Sequence, residues 1–432
     1  MLGKHSYSLS MLKDKNSIVS VTMVVNAFVW YYTVLILLEE ATVNNIWILF
    51  IHFSAIIISA LLGASLAKRI QRSRLLIVWM LLGTFSSIVL FGINNASLPV
   101  TSLIAIALGV SLGLGMPTCM SYYTDCVNIE NRGRVSGIII LLSGIGIFAF
   151  AIAPITDNLL LGGVLAVWRL IGLIIFLSAK SFQAKERKTS FSSYKSIFTQ
   201  QSFILYFVPW VMFSLVNYLG VPFQPNPNVS ASNLLLIQIG FMGAFAVVGG
   251  FFLDSVGRKR VAIAGFAMLG IGTAVRSFSS DALSLYFNAV IDGIAWGFLL
   301  VLFILTLWSD LSYSSASDKY YALGVLPFFA SMFLEFTVGQ YVVENIKDSR
   351  LFSITAFFLF LAVLPLVYAP ETLPEKITQK RQLESYIEKA KKEAAKAQKK
   401  EENKQSENEN AEEEPEETPE DAEARKLAEK YY

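Results

Sequence analysis

The chain has 432 residues, 54% hydrophobic, 13% aromatic and only 16% charged, with a mean hydropathy of +0.54. A water-soluble domain of this length does not carry so much apolar surface, so the composition excludes a soluble enzyme or nucleic-acid-binding module and puts the chain in the lipid bilayer. The formal charge of +2 says little as a sum, because sign is distributed by region.

Apolar runs of about twenty residues, long enough to cross roughly 30 Å of hydrocarbon, are centred near Asn26, Ile56, Thr84, Gly109, Ile145, Ile174, Met212, Gly243, Met268, Gly297, Ala330 and Phe360. Twelve membrane helices are therefore expected, and the fold class is all-α. The first run follows Lys13 and Lys15, spans the full width and lacks a small-residue cleavage site, which reads as a retained first helix. Bases cluster on alternate loops: Lys68, Arg69, Arg72 and Arg74, then Arg132 and Arg134, then Lys180 to Lys195, then Arg258 to Arg260. These loops are expected to face the cytoplasm, with both termini inside a cell membrane. The opposite loops lack Lys and Arg apart from Lys347 and Arg350, which Glu344 and Asp348 accompany.

The longest basic interruption divides the chain into expected domains at 1–180 and 201–371, joined by a linker at 181–200 and followed by a charged tail at 372–432. The halves repeat. Gly63 and Gly250 are 187 positions apart (250 less 63), as are Gly137 and Gly324 (324 less 137), and the acids Asp125 and Asp310 are 185 apart. Within the tail, Lys and Glu to about Lys404 favour a solvated helix held by i,i+4 pairs, whereas acidic Glu412 to Asp421 with its prolines favours disorder.

The run Gly250-Phe-Phe-Leu-Asp254-Ser-Val-Gly257-Arg258-Lys259-Arg260 ends an apolar helix in one acid, one glycine and three bases. It resembles the loop signature of the major facilitator superfamily, found between the second and third helices of a six-helix half. Pro370-Glu371-Thr372 resembles the segment after the last helix of sugar-porter-like members, and Trp168-Arg169 a pair at the start of their sixth helix. The resemblance covers roughly Met11 to Thr372 and implies two pseudo-symmetric six-helix bundles with a solute site between them near the midplane. It also implies that Asp254 meets the start of a helix, expected near Tyr320 to Leu323, with Gly257 and Arg258 completing a cytoplasmic latch. The first copy departs from the signature, with Ala67, Ile70 and Gln71 where the acid, glycine and first base should stand. Asp125, Glu130 and Arg134 in the loop after the fourth span are expected to join Lys68 and Arg69 in a gating network.

Ionisable groups inside spans are costly and tend to face a cavity or a partner. Asp292, with Asn288 and Trp296 at i−4 and i+4, and Glu335 are the candidates for proton coupling, and the first three also for solute binding. Asn26 and Trp30 on the first span, with Trp210 and Asn217 on the seventh, offer amide and indole groups suited to hydroxylated or amide-bearing solutes. His52 reads as a satisfied interior residue, and Gly109, Gly113, Gly115 and Pro117 as positions of close packing and a bend.

With no nucleophile constellation, metal cluster or phosphate loop in the sequence, no catalytic residue, metal or cofactor is expected, and the chain does not read as an enzyme. The expected function is secondary active transport of a small polar solute such as a sugar or organic acid, coupled to protons, by a monomer in the bilayer. Efflux of amphipathic compounds and solute sensing through the charged tail are the alternatives.

Overall fold

The computed structural model describes residues 14–41, 45–90, 97–153, 158–178, 191–220, 229–279, 281–312, 315–339, 350–373 and 418–431, with isolated positions between 387 and 394. All regular elements among these residues are helical. Two compact units are present, His5–Leu373 and a second formed by Met1–Lys4 with Pro374–Tyr432.

The larger unit holds every expected span. In its first half these are α1 (Lys15–Ala41), α2 (Ile46–Leu66), α3 (Arg72–Val89), α4 (Leu98–Gly113) continued by α5 (Met116–Cys126), α6 (Arg132–Ile152) and α7 (Asn158–Ser178). A short α8 (Tyr194–Phe198) in the linker precedes α9 (Gln201–Val216), α10 (Ala231–Ser255), α11 (Arg258–Phe278), α12 (Ala282–Leu300) continued into α13 (Leu307–Ser312), and α14 (Asp318–Gly324) running into α15 (Leu326–Leu334). The last span is α16 (Arg350–Leu361) with α17 (Val363–Tyr368). Among the described residues, eleven helices are long and apolar enough to cross a membrane. The twelfth, α9, is shorter and is extended by a 3-10 turn at Asn217–Gly220.

Two spans are broken at positions that the 187-residue repeat makes equivalent. In the fourth span, α4 ends at Gly113 and α5 starts at Met116, because Pro117 supplies no N–H and a Cβ on Gly115 would overlap the Trp79 ring. In the tenth, a π-helical turn occupies Val301–Thr306. Backbone carbonyls freed in an apolar setting need donors. Trp79 Nε1 serves Leu112 O at 3.0 Å in the first break. In the second, Thr306 Oγ1 donates to Val301 O at 2.8 Å, Tyr321 OH to Leu305 O at 2.5 Å, and the Trp308 indole to Phe303 O.

The halves meet along two seams of different character. In the first, α6 runs against α10 on a stripe of small residues. A Cβ on Gly133 would lie 2.6 Å from Gly250 O, and one on Gly137 would overlap Ala246 O. One turn on, Gly243 has only the tip of Leu141 at 3.4 Å, and Gly240 and Gly144 would meet nothing within 4 Å. The helices touch at the end carrying the clustered bases, here termed the basic end, and part toward the other. The second seam is aromatic and stays closed: Tyr31 meets Phe329 edge-on at 5.9 Å, Phe53 meets Phe333 at 6.0 Å, and Phe50 meets Phe333 at 5.8 Å.

In the tail, a helix α18 (Pro419–Tyr431) starts where disorder was expected, with Thr418 Oγ1 donating to Asp421 Oδ2 at 2.7 Å and proline at the first turn. Glu412 to Glu417, and most of the Lys/Glu stretch before it, lie outside the described residues.

The parting seam makes a contrast on one helix. Gly137→Leu should lower the thermal unfolding midpoint in detergent, since overpacking a tight contact costs about 1–3 kcal/mol, whereas Gly144→Leu should leave it unchanged. Equal losses at the two positions would contradict the parting of α6 from α10.

Candidate functional site

The site is built from the turn between α10 and α11. Gly257 has φ 117°, a region that side chains disfavour, and a Cβ there would overlap Glu371. The turn delivers Arg258 into the protein with no exposed surface. Its Nε donates to Asp310 Oδ2 at 3.0 Å, its Nη1 to Asp254 Oδ1 at 3.1 Å and to Leu253 O, and its Nη2 to Ile129 O at 3.1 Å. Glu371 accepts from the backbone N–H of Arg258 at 2.8 Å and of Lys259 at 3.2 Å, so an acid from beyond α17 caps α11.

Asp254 crosses to the other half. It accepts from the backbone N–H of Gly133 and of Arg134, both at 2.9 Å, and from Arg134 Nε at 3.1 Å. A carboxylate is thus held at the N-terminus of α6, where unpaired N–H groups and the helix dipole favour negative charge. Arg132, also on α6, returns the crossing: its Nη1 reaches Asp310 Oδ1 at 2.5 Å while Nη2 binds Thr124 O at 2.8 Å. Three arginines and two aspartates form one lattice; carbonyls of Leu253, Ile129, Thr124 and Glu130 and the Asn131 amide oxygen accept further guanidinium hydrogens, while Arg132 Nε has no partner among the described residues.

The first copy of the signature is wired differently. Arg72 at the start of α3 pairs with Asp125 at 2.7 Å and approaches Asp318, across the seam, at 3.6 Å. Ser121 Oγ donates to Asp318 Oδ2 at 3.1 Å and Ser317 Oγ to Ser121 Oγ at 2.7 Å. Here the acid belongs to the start of α14 itself, replacing the one that Ala67 cannot provide. Arg72 and Asp125 keep 26% and 44% of their side-chain surface exposed, so water screens this pair far more than the buried lattice.

These contacts correct two expectations. Asp254 caps α6 of the first half, not the helix near Tyr320 to Leu323 of its own half, because α10 packs on α6. Lys68 and Arg69 are exposed and join no ion pair among the described residues; Arg72 takes their place because it opens α3 and points at Asp125. Glu130 contributes its carbonyl to Arg134. Asp254, Gly257, Arg258 and Arg134 do come together, with Asp125 in the neighbouring cluster. Arg132, Asp310, Asp318, Arg72 and Glu371 complete the site and were absent from the expected gating set, although Asp310 was visible as the repeat partner of Asp125.

The polar residues expected to bind solute are dispersed. Asn26 donates from Nδ2 to Trp168 O at 2.6 Å and accepts from Arg169 Nη1 at 3.1 Å, tying α1 to α7. Trp30 donates to Ser87 Oγ at 2.7 Å and Trp210 to Gly324 O at 3.0 Å, and neither ring has exposed surface. These three are therefore consumed by packing inside a half, because buried indole and amide groups find partners on adjacent helices. Asn217 starts the 3-10 turn after α9. Asn288 donates to Asp292 Oδ2 at 2.8 Å, and the carboxylate lies against Gly272 of α11, 3.1 Å from where its Cβ would be, within the second half. Trp296 packs edge-on to Phe213 at 5.0 Å. Glu335 opens a π-helical turn, Glu335–Gly339, that continues α15.

The arrangement has solved counterparts. The chain is similar to XylE, a proton:xylose symporter of the major facilitator superfamily bound to 6-bromo-6-deoxy-D-glucose, with a TM-score of 0.62 and 15% identity over 85% of this chain and 97% of that one. A bacterial homologue of the iron transporter ferroportin in an outward-facing state gives 0.61 and 16% over 82% and 98%. The fold is that of the major facilitator superfamily. No protein-family model and no curated protein matches the chain in sequence. In this major facilitator fold the ionic lattice occupies the seam between the two six-helix halves.

Removing one member of a buried ion pair strands its partners and costs about 3–5 kcal/mol. Asp254→Asn should therefore open the basic end, read as labelling of a cysteine introduced at Ser136, which is fully buried beside Thr306 of the other half. Labelling by an impermeant maleimide should accelerate about tenfold or more, and Arg69→Gln should leave it unchanged. Equal sensitivity of the two variants would show that the lattice does not hold this end shut.

Proposed function

We propose that the chain is a secondary active transporter that moves a small polar solute across the cell membrane by alternating access, coupled to protons. The carrying observation is the polarised seam. One end is sealed by buried ion pairs that cross between halves, and the glycine stripe of α6 and α10 parts toward the other end. With the basic loops on the cytoplasmic side, this is an outward-open arrangement. Rocking the halves would hydrate Asp254, Asp310 and their arginines and bring Gly144 toward Gly240, closing the outer end as the inner one opens.

The parts divide between rigid and moving. Asn26, Trp30 and Trp210 stiffen the halves; Glu335 stands on the seam, close to Tyr32 and Glu39 of α1. Asp292 with Asn288 and Trp296, and Asn217 at the end of α9, remain the side chains we assign to the solute. The proton:xylose symporter of similar fold favours a polar solute and proton coupling over a lipophilic cargo. The lipid bilayer is the solvent for this chain, and the monomer is the expected transporting unit.

The reading is tested by solute flux in proteoliposomes under an imposed pH gradient. Accumulation driven by the gradient is expected, with Glu335→Gln abolishing the driven component while sparing solute counterflow and Asp292→Asn, at a solute-binding position, impairing both. Binding without flux would make the chain a sensor, flux indifferent to the gradient would remove the proton, and outward-directed flux would make it an exporter.

A further inference from the structure

We propose that His52 is a proton-binding residue of the transport cycle, taking the proton at Nε2. This rests on the reading of the chain as a proton-coupled transporter. The imidazole has no exposed surface, and its Nδ1 lies 2.9 Å from the carbonyl oxygen of Ala105 on α4. A carbonyl only accepts, so Nδ1 carries the hydrogen and the neutral ring presents a bare lone pair at Nε2. No partner among the described residues meets that lone pair. An imidazolium there would be a buried charge without a partner, so this conformation holds the ring neutral, and Nε2 takes a proton in a conformation that brings water or a carboxylate to it.

The surroundings place this atom beside the seam that stays closed. The Tyr31 ring of α1 stacks on the imidazole at 6.4 Å and 8°, and Tyr31 OH also lacks a partner. Tyr31 in turn meets Phe329 of the other half, and Phe53, packed on the imidazole at 5.5 Å, meets Phe333. His52 therefore backs two of the aromatic contacts by which the first half grips α15. It lies six residues into α2, roughly 9 Å from the end at which the other seam is parted.

A charge created there would find little compensation. Apart from His52, α2 carries no ionisable residue, and neither does α4. From α1 the ring faces the Tyr31 phenol and from its own helix Phe53, and these two rings separate it from Phe329 and Phe333 of α15. The acids of those two elements, Glu39 on α1 and Glu335 at the end of α15, gather nearer Tyr32. Protonation thus adds a cation behind an apolar interhelical contact, which favours a conformation bringing water or those carboxylates closer. The two protonation states then prefer different seam geometries, which is the requirement for coupling.

The chain holds only two histidines, so a full-length His5→Gln protein leaves His52 as the single imidazole. In lipid nanodiscs, nitrogen NMR of labelled histidine would read its tautomer and charge, and spin labels at Gly144 and Gly240, with Cys119 and Cys126 changed to Ser, would read the opening of α6 from α10. The expected result is hydrogen on Nδ1 alone at high pH and protonation of Nε2 as the pH is lowered. The spin-label distances should exchange between two populations with the same midpoint, within about half a pH unit, and His52→Gln should abolish that pH dependence. Hydrogen on Nε2 at high pH, an imidazole that never changes charge, or a pH-driven exchange that persists in His52→Gln would each overturn the inference while leaving transport intact. A single distance population in the parent and the variant, at every pH and with every solute tried, would overturn the transport reading itself.

Discussion

The structure depends on keeping charges dry at the basic end of the seam. Arg258, Arg132 and Arg134 share Asp254 and Asp310 with less than a tenth of any of these side chains in water. Desolvating five ions costs several kcal/mol each, and mutual attraction returns that only when every hydrogen and lone pair is satisfied. The backbone meets most of this condition: four carbonyls take guanidinium hydrogens and two N–H groups of α6 hold Asp254, while Arg132 Nε has no partner among the described residues. Such a lattice adds little net stability over water, since water satisfies the same groups and Arg132 Nε besides. That near balance suits a gate, because a conformation that hydrates all five ions together is accessible, whereas loss of one member is not.

The internal repeat supplies the frame, and its departures supply direction. At the α6–α10 seam, glycine against glycine lets two backbones approach until Asp254 can reach the N–H groups at the start of α6. At the α2–α15 seam the acid missing at Ala67 is replaced by Asp318 at the basic end, and aromatic rings at the far end of α2 keep contact as far as Phe50. The ring edges of Phe50, Phe53 and Tyr31 tolerate sliding and rotation against α15 better than interlocked backbones do. On the proposed transport reading one seam is the latch and the other the pivot, an asymmetry that two identical copies of the signature would not provide.

Much of this was legible in one dimension. Apolar runs located the spans, Gly257 and its bases located the turn, and the offset of 187 placed Leu114 and Val301 at equivalent points, where both spans break. What was not legible was which partner each polar group would find. Asp254 was recognisable as an acid at a helix end, but only the packing of α10 on α6 says whose helix it caps. Asn26, Trp30 and Trp210 had the composition of a binding site, yet a buried amide or indole serves a carbonyl on the next helix equally well. The converse held for His52, whose histidine in an apolar run looked satisfied until its second nitrogen proved to have no partner.

Alternating access further requires that the halves move as blocks, and the aromatic residues provide this. In the first half the Arg169 guanidinium lies over Trp79 at 4.5 Å and Trp30 at 5.0 Å, fully buried, with no carboxylate paired to it among the described residues. Ring faces stand in for an anion, each such contact contributing on the order of 2 kcal/mol when desolvated, and Asn26 Oδ1 accepts from Nη1, while Nε and Nη2 have no hydrogen-bond partner among the described residues. One side chain thereby joins α1, α3 and α7. In the second half, Trp210 stacks on Phe303 at 4.6 Å while donating to Gly324 O, which joins α9, the π-helical turn and α14. Both joints lie inside their own half and neither bonds across a seam. The strain of a conformational change therefore falls on the seams, where the ion pairs and the phenylalanine edges can exchange partners without disturbing either core.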